Sequence, residues 1–214
     1  VKPSRSELAF ASFLAYCPRG DTQEIRRARN FMLRLKENRV VRDEVAAALV
    51  ARRLRERAEP FTREFLDEDA ALVPIPRSGL LRRGNLWPAL EIAESLQDEG
   101  FGSRVITCLR RRRAVAKAAT SNPEERPKAR THFESMELEV PLSLPPKVTL
   151  IDDVVTRGAQ LFGAAWKIWS VRPDVEVRAF SVIRTVSDAN DFLSLDAPCT
   201  GRIEWRDEEC RRRP

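Results

Sequence analysis

The stretch Val148-Thr149-Leu150-Ile151-Asp152-Asp153-Val154-Val155-Thr156-Arg157-Gly158-Ala159-Gln160 decides how this chain reads. Four non-polar or β-branched residues in a row suit a strand buried on both faces, and such strands belong to parallel sheets. Two adjacent carboxylates end it. A short loop then enters a helix at Gly158, whose buried side takes Leu161, Phe162, Ala165, Ile168 and Trp169 at helical spacing. Loop amides and the positive end of a helix together make a cradle for phosphate. Glycine lets the backbone come close to such a group. Paired acids just before the cradle suit the hydroxyls of a ribose, with Mg²⁺ beside them. Asp-Asp alone is also an ordinary strand-end turn; strand, Thr-x-Gly and helix in one register set this segment apart.

Outward from that segment the pattern repeats. Residues 70–76, Ala-Ala-Leu-Val-Pro-Ile-Pro, form a short buried strand stopped by prolines, and Arg77-Ser78-Gly79 is a loop. Leu86, Leu90, Ala93 and Leu96 mark the buried stripe of a helix ending near Gly100. Residues 105–109 and 175–183 are two further strands. Strand, helix, strand, loop, strand, helix, strand predicts a parallel α/β sheet. Ligands in such sheets sit beyond the carboxyl ends of the strands.

The flanks read differently. Residues 5–16 are apolar enough for a short helix. Thr22 or Asp21 can cap a second, over which Ile25, Ala28, Phe31, Met32 and Leu35 recur at helical spacing with Arg26, Arg27, Arg29, Arg34 and Lys36 facing outward. A third helix fits 42–58. The tail from 185 onward is irregular and ends in Arg211-Arg212-Arg213. The expected division is a helical region 1–69, an α/β core 70–187 and a tail 188–214.

Composition narrows the chemistry. The chain has 214 residues, 43% of them hydrophobic and 33% charged, which fits a globular protein with a heavily solvated surface. There is one histidine, His132, so a histidine-rich metal site is excluded. No G-x-S-x-G elbow supports a serine–histidine machine. Cys17, Cys108, Cys199 and Cys210 are far apart, contain no CxxC and read as ordinary reduced cysteines. No apolar run reaches the ~18 residues of a membrane span, and no hydrophobic signal core opens the sequence, so the expected compartment is the cytoplasm. The net charge is +6, and nine basic residues against two acidic ones fall between Phe101 and Arg130. Such a field attracts phosphates, on a small molecule or on nucleic acid. Residues 110–130 have no periodicity and read as a long polar loop, a candidate lid.

The signature segment resembles the phosphoribosyl pyrophosphate (PRPP) motif of type I phosphoribosyltransferases: four hydrophobics, two acids, two hydrophobics, then Thr-Thr-Gly-x-Thr. It departs at Arg157, where Thr is usual, and at Gln160, where a second hydroxyl is usual. Val73-Pro74-Ile75-Pro76 and Arg82-Arg83-Gly84-Asn85 look like the competence protein F-like branch, as do Lys117-Ala118-Ala119, Arg126-Pro127 and His132. The resemblance covers roughly residues 70–187. It implies a type I phosphoribosyltransferase-like parallel sheet flanked by helices, with a helical N-terminal appendage serving as hood or interaction surface.

It implies further that Asp152 and Asp153 hold the ribose hydroxyls and Mg²⁺, and that Thr156, Arg157, Gly158, Ala159 and Gln160 take the 5′-phosphate. Pro76, Arg77 and Ser78 would take pyrophosphate, with Arg113 and Lys117 reaching from the lid, Lys117 as a catalytic cation; Arg126 and Arg130 are further lid candidates. Phe13, Tyr16, Phe31 and Trp205 can either stack on a base or pack in a core, and Arg184 can line the same mouth. His132 orders the loop end rather than acting as a base. The implied reaction transfers phosphoribose from PRPP to a nitrogenous base or related acceptor and releases pyrophosphate. The alternative is a non-catalytic module of the same fold that senses PRPP or nucleotide, or handles nucleic acid through its basic surface, with 22–58 readable as a helix-turn-helix. A second copy or a protein partner can also take this surface; a membrane is not expected.

Overall fold

The computed structural model describes residues 2–82, 84–116, 126–139 and 144–214. In chain order its elements are β1 (Glu7–Tyr16), α1 (Gln23–Lys36), β2 (Val40–Val41), β3 (Glu44–Val45), α2 (Ala46–Arg57), α3 (Thr62–Phe65), β4 (Ala71–Pro74), α4 (Pro88–Asp98), β5 (Arg104–Val105) and β6 (Leu109–Arg111). There follow α5 (Ala129–Ser135), β7 (Met136–Leu138), β8 (Lys147–Val155), α6 (Ala159–Trp169), β9 (Glu176–Thr185), β10 (Asp196–Arg206) and β11 (Glu209–Arg213).

Seven strands make one mixed sheet in the order β11-β10-β1-β9-β8-β4-β5. The run from β1 to β5 is parallel, and β10 and β11 add an antiparallel flank. Helices cover both faces, so the α/β class is as expected. On one face Phe10, Leu150 and Ala179 pack under Phe162, Ala165 and Ile168 of α6. On the other, Ala11, Ile151 and Phe180 pack under Leu35 of α1, Leu54 of α2 and Ile92 of α4. Alternate residues of one strand enter opposite layers, as a buried parallel strand requires.

Local chemistry sets the helices. Thr22 caps α1, its hydroxyl accepting from the Ile25 amide at 3.3 Å. The α5–α6 crossing depends on Gly163, where a side chain would stand 2.6 Å from the Ala129 carbonyl and 2.7 Å from the His132 Cβ. Beside it Phe133 stacks on Trp166 with centroids 4.4 Å apart.

Four expectations are corrected. Residues 5–16 form strand β1, not a helix, and it lies inside the sheet between β9 and β10. Its apolar run reads as helix or strand alike, and the sheet decides. The irregular tail is a hairpin, β10–β11, paired to β1. The strand expected over 105–109 is two pieces: β5 joins the main sheet, while β6 pairs with β7 in a separate ribbon. Helix 42–58 begins later, at Ala46, after the small β2–β3 ribbon. The four cysteines are free thiols. Among the described residues no helix is long and apolar enough to cross a membrane.

Candidate functional site

Strands β4 and β8 are neighbours, with Pro74 in register with Ile151. The segments that follow them therefore emerge side by side at the carboxyl edge of the sheet. They are tied together: the Gln160 Nε2 donates to the Pro76 carbonyl at 2.9 Å. Arg111 donates to the same carbonyl at 3.4 Å, to the Arg77 carbonyl at 3.0 Å and to the Ser135 hydroxyl at 2.6 Å. Trp87 fixes the loop from its other side by donating to the Ile75 carbonyl at 2.7 Å. The Ser78 carbonyl accepts from the Val115 amide at 2.8 Å, which docks the start of the 110–130 segment on this loop.

The two aspartates lie inside β8 rather than beyond it. Leu150 and Val155 face the α6 layer, and Ile151 and Val154 the opposite one, so the alternation slips by one residue across Asp152 and Asp153. The Asp153 amide donates to Asp152 Oδ1 and the Val154 amide to Asp153 Oδ1, each at 2.9 Å. Asp152 is buried, which lifts its carboxyl well above the usual range; the charge and hydrogen bond of Asp153 add to the lift. The Asp153 amide and the charge of Lys36 pull the other way. Lys36 is the half-buried last residue of α1. The N-terminal helix thus brings a cation to the acid pair.

The 156–160 loop follows. Thr156 is exposed and its hydroxyl lies 3.2 Å from that of Thr185 at the end of β9. Gly158 is the N-cap of α6 with φ +84°, a left-handed conformation, and any side chain there would meet Ile203 of β10 at 2.5 Å. Among the described residues, none of the amides of residues 157–160 donates a hydrogen bond. Free N–H groups at the positive end of the α6 dipole are the elements of an anion site.

The other sequence candidates are placed less directly. Arg77 turns back to donate to the Leu86 carbonyl at 2.6 Å. Arg157 pairs with Glu209 at 3.7 Å and Arg113 with Glu134 at 3.3 Å, each well exposed. Exposed pairs of this kind are worth ~0–1 kcal/mol, so both side chains remain exchangeable. Arg130 pairs with Glu208 at 3.6 Å, and Arg184 donates to the Ala197 carbonyl. Ala159 is the first helical residue of α6. Lys117 lies outside the described residues. Phe13 is buried in the core beside α2, and Trp205 sits 6.0 Å from Trp166. His132 is buried; burial, with the nearby Arg111 charge, pulls it down to about 3, so it stays neutral. That suits a packing role rather than a base.

The sequence reading missed three residues here: Arg111, Arg212 and Lys36, the last expected to face outward but half-buried with its charge acting on Asp152. Arg111 is buried, which lowers its pKa to about 10, still charged at neutral pH. Arg212 of β11 donates to the Thr156 carbonyl at 3.0 Å and the Thr185 carbonyl at 2.6 Å. No periodicity or motif marks any of the three, because each meets its partners only through the tertiary fold. A cleft of about 270 Å³ opens beside the 75–78 loop, between Leu81, Trp87 and Leu90, with Glu91 on its wall. Asn38 steadies Glu91 by donating to it at 3.0 Å.

Lys36 gives a direct check. Lys36→Met should move the Asp152 titration further up, as followed by carboxyl NMR. An unmoved Asp152 resonance would remove Lys36 from the site.

Neither a protein-family model nor a curated protein matches the chain by sequence. By shape it is similar to a hypoxanthine phosphoribosyltransferase from Staphylococcus aureus, at 11% identity and a TM-score of 0.33, over 69% of this chain and 68% of that one. It is also similar to an alanine mutant from an analysis of an invariant aspartic acid in HPRTs, at 11% identity and a TM-score of 0.33, over 85% of this chain and 93% of that one. Both are distant likenesses of overall fold, and neither bears on the competence protein F-like branch.

Proposed function

We propose that the chain binds PRPP with Mg²⁺ and transfers its phosphoribose to a nitrogenous base or related acceptor. One observation carries the reading: an acid pair, a loop of undonated amides at a helix N-terminus, and a second loop cross-linked to it through Gln160 and Pro76 meet at one carboxyl edge. This set of groups suits a ligand that carries a phosphate, a diol and a second anion. In transfer, the acceptor nitrogen forms a bond to C1 as the C1–O bond to pyrophosphate breaks, and pyrophosphate leaves with the electron pair. Arg111 supports the loop assigned to pyrophosphate, so its charge lies near the group that becomes more negative. Lys117 and Arg113 are the proposed lid cations.

Asp152 and Asp153 are the residues that would hold Mg²⁺. Among the described residues no cluster of three or more metal-ligating side chains forms. Two carboxylates nevertheless fit this ion, which usually takes one or two from protein and completes its shell with water and ligand phosphates. Bound there, it would neutralise phosphate charge. The Val-Pro-x-Pro and Arg-Gly elements at 73–76 and 83–84 support placement in the competence protein F-like branch, and the cytoplasm remains the proposed compartment.

A second reading is a module of the same fold that binds PRPP or nucleotide without transfer. It is favoured by Gln160, whose amide is committed to the Pro76 carbonyl where the motif has a hydroxyl for phosphate.

Titration calorimetry with PRPP, with and without Mg²⁺, tests the proposal. Binding should need Mg²⁺ and fall at least about 100-fold in the Asp152→Asn, Asp153→Asn double variant, the loss expected for two charge-assisted contacts. A folded parent that takes no PRPP, or a double variant that binds it as well, refutes the site. If PRPP binds, release of pyrophosphate with a panel of bases separates transfer from sensing.

A further inference from the structure

The hairpin β10–β11 matches nothing in the signature, yet it lies against the anion loop from beneath. Ile203 fills the space over Gly158 that no side chain there can share. In register with Ile203 stands Arg212, on the α6 side of the sheet. Its Nε and Nη2 reach the Thr156 and Thr185 carbonyls, the last points of the β8 and β9 segments, whose hydroxyls face each other at 3.2 Å. One planar guanidinium therefore spans two loop roots, which a lysine cannot do with the same geometry.

We propose that Arg212 is a positioning residue that holds the 156–160 loop in its anion-binding shape. The peptide geometry gives the reason. In a trans peptide the C=O and the following N–H point opposite ways. Drawing the Thr156 carbonyl toward the hairpin turns the Arg157 amide away from it, toward the side where a ligand can reach it. The charge adds to the effect. Among the described residues no carboxylate pairs with Arg212, its Nη1 is buried without a partner, and its only other close contact of this kind is the Phe10 ring, 5.6 Å below. A guanidinium so placed leaves a net positive field under the loop. Burial, and after it the like charge of Arg184, lower the Arg212 pKa; a guanidinium keeps its charge in proteins. The group drawn to that field is a phosphate ester. The inference rests on reading 156–160 as the anion loop, but its first consequence, loop order, is measurable without a ligand.

The test uses the full chain with Arg212→Met and Arg212→Lys. Backbone ¹⁵N relaxation of residues 156–160 should give order parameters near ~0.85 in the parent and below ~0.6 in the methionine variant, while the interior of α6 stays rigid. Affinity for PRPP should fall about ten- to a hundredfold, the effect of losing charge-assisted hydrogen bonds. Lysine restores charge but not the two-point bridge, so its loop should remain loose. A methionine loop as rigid as the parent's overturns the proposal. If the methionine variant does not fold, a lysine loop as rigid as the parent's overturns it equally. A loosened loop in a chain whose parent takes no PRPP keeps the role of Arg212 and refutes the ligand. A parent that binds PRPP beside a methionine variant with an unchanged loop does the reverse.

Discussion

At pH 7 the Asp152→Asn variant should melt above the parent, and the two should converge as the pH falls to about 4. The reason is the price of a buried acid. Burial raises the Asp152 carboxyl, and the Asp153 charge raises it further. The unfolded chain loses this proton near the ordinary aspartate value of ~3.9, while the folded chain retains it to higher pH. Between those two values the native state binds more protons, so stability falls as pH rises. Each unit of separation costs about 1.4 kcal/mol above the folded value. Asparagine cannot ionise, yet its oxygen can still accept from the Asp153 amide as Asp152 Oδ1 does now. A gain of 1 kcal/mol corresponds to roughly 3 °C for a chain of this size. Thermal unfolding followed from pH 3.5 to 8 reads both the gain and its disappearance. A variant less stable than the parent at pH 7 would show that the charge is structural. On the proposed function the same substitution removes half of the acid pair, so stability should rise as PRPP binding falls.

Gly158→Ala should act in the opposite direction. Its φ of +84° strains any side chain by about 1–2 kcal/mol. The new methyl would also meet Ile203 at 2.5 Å, and overpacking of that kind typically adds ~1–3 kcal/mol. A loss of about 3 kcal/mol, roughly 6–12 °C in melting temperature, follows. Because Ile203 and Arg212 are partners in register, displacing one also pulls the other from the loop. Pairing Gly158→Ala with Ile203→Ala should recover the steric part and leave the backbone strain. A double variant no better than the single one would place the whole cost in the dihedral.

Much of this site was legible in the residues themselves. Strand 148–155, the glycine at a helix entrance and the proline-stopped strand at 71–74 have strong local signals, and the parallel order of their strands brings the two loops together. The misreadings have a common physical origin. Leu8 to Tyr16 is apolar on successive residues because both faces of β1 are covered, so neither a period of 2 nor one of 3.6 stands out. In the tail, Glu209 to Arg213 carries charge on nearly every residue, which hides a strand whose Cys210 is buried while Arg212 reaches inward. Lys36 and Arg111 sit among other basic residues, and only the fold distinguishes the one that meets an acid or a carbonyl from those that meet water. Arg157 and Arg113 show the converse: chemically apt, they are engaged by Glu209 and Glu134, acids with no motif of their own.

The position of β1 has a bearing on how the chain is made. Its neighbours are β9 and β10, so Phe10 must wait for Ala179 and Gly201. At a synthesis rate of ~5–20 residues per second, that wait lasts on the order of ten to forty seconds. Throughout it the ribosome presents Phe10-Ala11-Ser12-Phe13-Leu14-Ala15-Tyr16 with both edges open, an uncharged, proline-free, β-prone heptamer of the kind that nucleates aggregates. The centre of the sheet is thus the last part to close, and yield in the cell should depend on what shelters the first strand until the last ones arrive.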